Sequence, residues 1–304
     1  MQINSRRRFL QNTGLVLAGA ASGLSFSTKQ APRLSFSTLG CPDWSFDKIM
    51  AFAVEHGYTG LEIRDIKREM DLPKCPEFSS KQNIAVTRQK MKASGLKFVG
   101  LGSSANLHFL PGSARDKNLD EARRFIDLAN EIDCPYIRVF PNNFPATQEK
   151  AQTMELMSKG LLELATHANN SNVTVLMETH GDLVKMAELK QVINATAHQH
   201  SGLIWDICNM WTVTKEPPAE VYQTLKKYIR HAHIKDANMV NGKPAYTLLG
   251  QGTVPVFEAI NVLAKDHYEG FYSFEWEKLW HPEIQEPEVA LADYPLAMKK
   301  HFNK

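Results

Sequence analysis

The sequence predicts an α/β chain folded as one (β/α)8 TIM barrel over residues 34–304. Three observations predict it. Short apolar runs rich in β-branched and aromatic residues recur along the chain, amphipathic helical stretches separate them, and potential metal ligands stand at the C-terminal ends of the later runs. The runs are 34–39, 59–64, 97–102, 136–140, 173–178, 203–207, 231–234 and 272–276. Strands covered on both faces read as near-continuous apolar runs, and most of these do.

The stretches between them carry helical periodicity. Residues 119–132 place Ala122, Phe125, Ile126 and Ala129 on one stripe, with Glu121, Arg123, Arg124 and Asp127 elsewhere. Residues 154–168 repeat the pattern with Leu161, Leu164, Ala165 and Ala168. Turn or cap signals precede several strands: Gly57, Gly95, Cys134-Pro135, Asn169-Asn170, Gly202 and Gly270. A doubly wound sheet would carry a glycine-rich phosphate loop after its first strand, and only the fragment Gly100-x-Gly102 occurs. No linker or composition shift follows residue 33, so a single domain is expected.

With 304 residues, 43% hydrophobic and 22% charged, the chain can bury a large core, which excludes intrinsic disorder and collagen-like repeats. The formal charge is +2, yet residues 1–29 hold Arg6, Arg7, Arg8 and Lys29 and no acid, so without them it becomes −2. Such a domain has no global basic field for nucleic acid. The four cysteines, Cys41, Cys75, Cys134 and Cys208, are scattered and include no C-x-x-C pair, which excludes a zinc ribbon and a disulfide-stapled scaffold.

Ser5-Arg6-Arg7-Arg8-Phe9-Leu10-Gln11, followed by a weakly apolar Ala/Gly-rich run from Gly14 to Phe26, resembles a twin-arginine export signal. The resemblance implies that residues 1–30 are a signal peptide, that the export machinery is a partner, and that the barrel is periplasmic or otherwise exported. The run is too short and glycine-rich to be a stable membrane span.

The last four strands end in Glu178-Thr-His180, Asp206, His231-Ala-His233-Ile-Lys235-Asp236 and Glu275-Trp-Glu277. Neighbouring strand ends converge in a barrel, so these residues can meet around one ion. Three carboxylates and an imidazole form a hard, oxygen-dominated set. It suits one divalent ion, Mn²⁺ first, with Mg²⁺, Co²⁺, Fe²⁺ or Zn²⁺ as alternatives. A glutamate ending a strand is often a solvated rim residue, and a lone histidine is often a satisfied core residue. The joint pattern carries the expectation, because clustered buried carboxylates without a cation repel one another.

Gly60-Leu-Glu62-Ile-Arg64, Glu178-Thr-His180-Gly, Trp205-Asp206, His231-x-His233-Ile-Lys235-Asp236, Leu249-Gly250-Gln-Gly252 and Phe274-Glu275-Trp-Glu277 resemble the xylose-isomerase-like TIM-barrel family. That family contains sugar isomerases, ketose 3-epimerases, inosose dehydratases and endonuclease IV. The resemblance implies Glu178, Asp206, His233 and Glu275 as ligands of a single metal ion, with Glu178 and Glu275 as catalytic acid and base. It implies a metal-dependent isomerase or epimerase working through an enediolate. A dehydratase or 3-keto-glycoside lyase on the same site is the alternative. Oligomers common in the family imply a homo-oligomer.

Departures narrow the reading. Where ketose 3-epimerases carry a substrate-binding His, an Arg and a Glu, this chain has Asn209, Met239 and Val184, which disfavours a psicose or tagatose 3-epimerase. The expected substrate contacts are Glu62, Arg64, His108, Arg138, His180, Asn209 and Lys235, with His231 and Glu277 orienting ligands. Lys235 could instead bridge Asp236 at the surface. Trp44, Phe109, Phe144, Trp211, Trp276 and Trp280 lie near strand ends, where they could stack on a sugar or simply pack. No Arg/Lys phosphate clamp is visible, which points to an unphosphorylated sugar. An endonuclease IV-like nuclease would need further His and Asp ligands on the first strands, and a non-catalytic carbohydrate-binding barrel would not need the ligand set.

Overall fold

A computed structural model of the protein describes residues 31–303. The expected signal segment, 1–30, lies outside the described residues. Within them, strands β1 (Arg33–Ser37), β2 (Gly60–Ile63), β3 (Lys97–Asn106), β4 (Tyr136–Phe140), β5 (Thr174–Glu178), β6 (Ser201–Asp206), β7 (Ile229–Ile234) and β10 (Phe271–Phe274) correspond to the eight predicted runs. They close into a parallel barrel in the order β1-β10-β7-β6-β5-β4-β3-β2. Their Cα partners fix the site: Asp206 pairs with His233, and His233 with Ser273.

The helices are α1 (Phe46–Glu55), α2 (Lys81–Ala93), α3 (Ser113–Glu131), α4 (Lys150–His167), α5 (Met186–Thr196), α6 (Ile207–Thr214), α7 (Pro218–Leu225), α8 (Val256–Lys265) and α9 (Pro287–Phe302). The predicted stripes are their buried faces. Ala122, Phe125, Ile126 and Ala129 of α3 and Leu161, Leu164 and Ala165 of α4 are all buried against the barrel, as is Ala168 just beyond. Burial of such side chains supplies the main favourable term, about 1.5–3 kcal/mol for each large one. On the far side of the barrel, Phe274 of β10 stacks on Tyr294 of α9 at 4.5 Å between ring centroids.

The boundaries differ from expectation for local reasons. The first strand stops at Ser37 because its side chain accepts from Leu39 N and turns Thr38–Gly40 into a 3-10 helix. The third strand continues to Asn106, where its ladder with β4 resumes opposite Phe140 after an irregularity. The sequence reading did not include an excursion after β7. There β8 (Asp236–Val240) and β9 (Lys243–Thr247) form an antiparallel hairpin about Asn241-Gly242. Both turn residues have positive φ, 50° and 77°, which is the conformation an Asn-Gly pair favours.

Asp236 locks the base of this hairpin. Its carboxylate accepts from the backbone N–H groups of Ala237, Gly250, Gly252 and Val254 at 2.9–3.3 Å. A Cβ at position 252 would lie 2.0 Å from Asp236 Oδ1, so the close approach requires glycine there. The surface bridge between Lys235 and Asp236 is therefore not formed, because Asp236 is committed to backbone donors. The four cysteines are free and buried. No helix among the described residues is long and apolar enough to cross a membrane.

Candidate metal centre

The strand ends bring Glu178, Asp206, His233 and Glu275 together. One donor atom from each lies within 4.8 Å of all the others, and all four residues are buried. Glu178 closes β5, Asp206 closes β6, His233 is the penultimate residue of β7, and Glu275 follows β10 directly. His233 Nδ1 faces Glu178 Oε1 at 3.8 Å, Asp206 Oδ2 at 3.8 Å and Glu275 Oε1 at 3.4 Å. It has no hydrogen-bond partner although its side chain is fully buried.

The opposite nitrogen explains that aim. His233 Nε2 sits 3.0 and 3.1 Å from the two oxygens of Glu62. A carboxylate there holds a proton on Nε2 and aims Nδ1 at the acidic cluster, the arrangement of a histidine that ligates a metal once Nδ1 gives up its proton; without a cation, the surrounding carboxylates raise the imidazole well above its ordinary value. Asp206 Oδ2 also lacks a hydrogen bond of good geometry, although Lys235 Nζ is 2.9 Å away. Charge supports the same fit, because buried carboxylates outnumber the Arg and Lys side chains around them. The residues present therefore fit a divalent cation held by Glu178, Asp206, His233 and Glu275.

A family model described as xylose isomerase-like TIM barrel matches residues 50–295. The chain belongs to that family. No curated protein matches the sequence. Among solved structures, this xylose isomerase-like barrel is similar to the probable 3-DHS dehydratase AsbF from Bacillus anthracis, with 18% identity and a TM-score of 0.72 over 88% of this chain and 98% of that one. It is also similar to the 3-keto-D-glucoside 4-epimerase YcjR from E. coli, with 16% identity and a TM-score of 0.70 over 88% and 99%. A third is the IOLI protein with a bound zinc atom, with 15% identity and a TM-score of 0.70 over 89% and 96%.

Around the four donors, the xylose isomerase-like barrel spends its other polar groups on holding them. Glu62, expected as a substrate contact, is 2% exposed and accepts from Ser273 Oγ at 2.8 Å besides pairing with His231 Nε2 at 2.9 Å. Its carboxylate is consumed by two imidazoles and a hydroxyl, which makes it an anchor for His233. His231 lies in the same anchor, as its inward i, i+2 spacing from His233 dictates.

Arg138 Nη1 lies 3.1 Å from Glu178 Oε2 and 3.5 Å from Glu275 Oε1, bridging the two carboxylates. Lys235 Nζ meets Asp206 at 2.9 Å and both Glu275 and Glu277 at 2.6 Å. Arg64 donates to Gly102 O at 3.0 Å and Ser104 Oγ at 2.8 Å. A Cβ on Gly102 would lie 2.8 Å from Arg64 Cδ and 3.2 Å from Arg138 Nη2, so glycine admits both side chains. Asn209 N–H donates to Asp206 Oδ1 at 2.8 Å, capping α6, and its amide donates to Glu178 Oε1 at 3.3 Å.

These contacts set the ionisation of the cluster. Burial raises the Glu178 carboxyl, and Glu275 adds to that; Arg138 and His233 outweigh both and hold it below its ordinary value. Burial is likewise overcome at Glu275, where His233, Lys235 and Arg138 hold the carboxyl well below the usual range. Glu277, in contrast, is pushed up by burial in spite of Lys235. Burial lowers the Lys235 ammonium, yet Asp206, Glu275 and Glu277 raise it well above a free lysine.

His108 stands apart. It is buried, packs on Phe109 at 4.2 Å between ring centroids, and its Nδ1 has no hydrogen-bond partner. His180 is half-buried and packs on Phe140 at 4.5 Å, with Arg138 Cζ on the same ring at 4.1 Å. Of the strand-end aromatics, Trp44 and Trp276 are buried in packing, whereas Trp280 is 54% exposed. Sequence reasoning missed Ser273, although its spacing two residues before Glu275 signals the inward face. It also missed Tyr246, which the hairpin brings to 5.7 Å from Lys235 Nζ.

Proposed function

We propose that the chain is a divalent-metal-dependent sugar isomerase or epimerase acting on an unphosphorylated sugar or keto-sugar through an enediolate. The observation that carries the reading is the unpaired, fully buried Nδ1 of His233 surrounded by three carboxylates and fixed from behind by Glu62. Glu178, Asp206, His233 and Glu275 would hold the ion, Mn²⁺ first among Mg²⁺, Co²⁺, Fe²⁺ and Zn²⁺. A bound divalent ion polarises a carbonyl and acidifies the neighbouring C–H.

The protein's own residues do the rest. Glu178 and Glu275 are kept ionised by Arg138, which touches both, so one carboxylate can take the α-proton and pass it to solvent, and the other, once it has gained a proton from solvent, can deliver it as the acid. The Arg138, Lys235 and Arg64 head groups at the centre each pair with protein acceptors, although Arg138 Nε is left without one, and this fits a neutral sugar better than a phosphosugar. Return of the proton gives isomerisation or epimerisation. Loss of a β-hydroxyl from the same enediolate gives the lyase alternative, and the names of the dehydratase and epimerase neighbours are consistent with either outcome on this fold. The reading includes export: residues 1–30 would deliver the folded barrel through the twin-arginine machinery to the periplasm, where it acts as a homo-oligomer.

Metal content by mass spectrometry, beside an Asp206→Ala control, tests the centre. The expected result is about one divalent ion per chain, lost in the variant. Keto-sugars incubated in D₂O should then gain deuterium at the carbon next to the carbonyl, and loss of water or aglycone would assign the lyase. Two or three zinc ions would point to the nuclease. A protein that takes up no metal after reconstitution would overturn the proposal.

A further inference from the structure

The end of β3 and the loops after β4 and β5 are joined by a chain of amide hydrogen bonds that ends on His180. The chain starts at a backbone carbonyl, Ser104 O, which can only accept. Asn106 Nδ2 donates to it at 2.8 Å. Asn106 must therefore turn its carbonyl oxygen the other way, and Asn142 Nδ2 donates to that oxygen. Asn142 in turn presents its own carbonyl oxygen to His180 Nδ1, 2.9 Å away. Each amide has one donating and one accepting end, so reversing any member would set two donors or two acceptors face to face.

The backbone around the chain is equally fixed. Asn106 N–H donates to Asn118 Oδ1 at 2.7 Å, and Asn118 Nδ2 donates to the carbonyl of Ala114 at 2.8 Å, so that amide is oriented too. Asn142 adopts φ 58°, a left-handed conformation that asparagine tolerates better than most residues. Its carbonyl accepts from Asp182 N at 2.9 Å, and a Cβ at Gly181 would lie 2.6 Å from that oxygen. Asp182 Oδ2 accepts from Phe144 N at 2.8 Å, closing the two loops on each other. Phe140 packs against both the His180 ring and the Arg138 guanidinium, the group that bridges Glu178 and Glu275.

We infer that Asn142, oriented by Asn106 and the Ser104 carbonyl, is a positioning residue that holds His180 with its proton on Nδ1. Nε2 is then left as the lone pair of the ring. It accepts a hydrogen bond from a substrate hydroxyl and is mismatched to a carbonyl or ether oxygen. This deepens the proposed function and rests on it for the identity of the ligand. The geometry of the imidazole itself does not depend on a metal or substrate.

The test reads the tautomer directly. The full chain, labelled with ¹⁵N-histidine, is examined by long-range ¹H–¹⁵N correlation at a pH where histidine is neutral, and His180 is assigned by loss of its signals in His180→Gln. The expected wild-type pattern is a protonated Nδ1 and an unprotonated Nε2. Asn142→Leu should lose that pattern and move the proton to Nε2, the site free histidine prefers. A wild-type His180 carrying its proton on Nε2 overturns the inference without any variant, as does an unchanged pattern in Asn142→Leu. Because the measurement needs neither metal nor sugar, it can succeed where the metal assay fails, and the two failures are distinguishable.

Discussion

The two halves of the barrel rim contribute opposite chemistry. The ends of β5, β6, β7 and β10 supply Glu178, Asp206, His233 and Glu275, which converge as potential cation ligands. The first strands contribute groups that hold others: Glu62 of β2 behind His233, Arg138 of β4 across Glu178 and Glu275, and the amides of Asn106 and Asn142 behind His180. The difference teaches that a cluster of like charges is made tolerable by Lys235 beside it and by partners from the other side of the same barrel. Removing a partner should therefore be as informative as removing a ligand.

The largest effect is expected at Arg138. Arg138→Leu would leave Glu178 and Glu275 buried beside each other without their bridging cation, and the metal-free protein should lose about 3–5 kcal/mol of stability. Urea titrations with and without Mn²⁺ check this, since added metal should recover part of the loss; an unchanged midpoint would break the division between the halves. A smaller effect belongs to Glu62→Gln, which keeps the shape but weakens the hold on the His233 Nε2 proton. Metal affinity by calorimetry should fall roughly 10–100-fold, the usual cost of disturbing a partner behind a ligand.

The smallest effect is a slope. Asp65, just past β2, is buried with Oδ1 unpaired, and burial pushes its carboxyl up to about 7. The folded protein then keeps a proton that the unfolded chain releases near 3.8, so Asp65 makes stability fall as pH rises from about 4 to about 7. Asp65→Asn should flatten that slope. Denaturation midpoints at pH 5 and pH 8 that move equally in wild type and variant would remove Asp65 from the account.

What could be read in advance follows from range. Glu178, Asp206 and Glu275 stand out because a carboxylate ending an apolar run is a local contradiction, and the barrel rule says where such ends meet. The strands were legible for the same reason, being buried on both faces. Alternation shows that Glu62 faces inward, but only the depth of His231 and His233 beside it decides that its oxygens are consumed. Asn142 follows a strand as part of an ordinary Asn-Asn turn signal, and its link to His180 exists only once two loops meet. The hairpin had a local signal in Asn241-Gly242, but it interrupts a βα unit that the pattern treats as continuous.

That hairpin is rigid at one end and free at the other. Its base is fastened by the Asp236 carboxylate to four backbone donors, whereas Val240, Asn241, Gly242 and Lys243 at the tip are exposed. Nothing lies within 4 Å of where a side chain at Gly242 would begin. Exposed tips of this kind are where chains accept added sequence. A peptide tag or reporter spliced between Asn241 and Gly242 would thus ride on the outside of the molecule, giving the barrel a handle for immobilisation that leaves the acidic centre untouched.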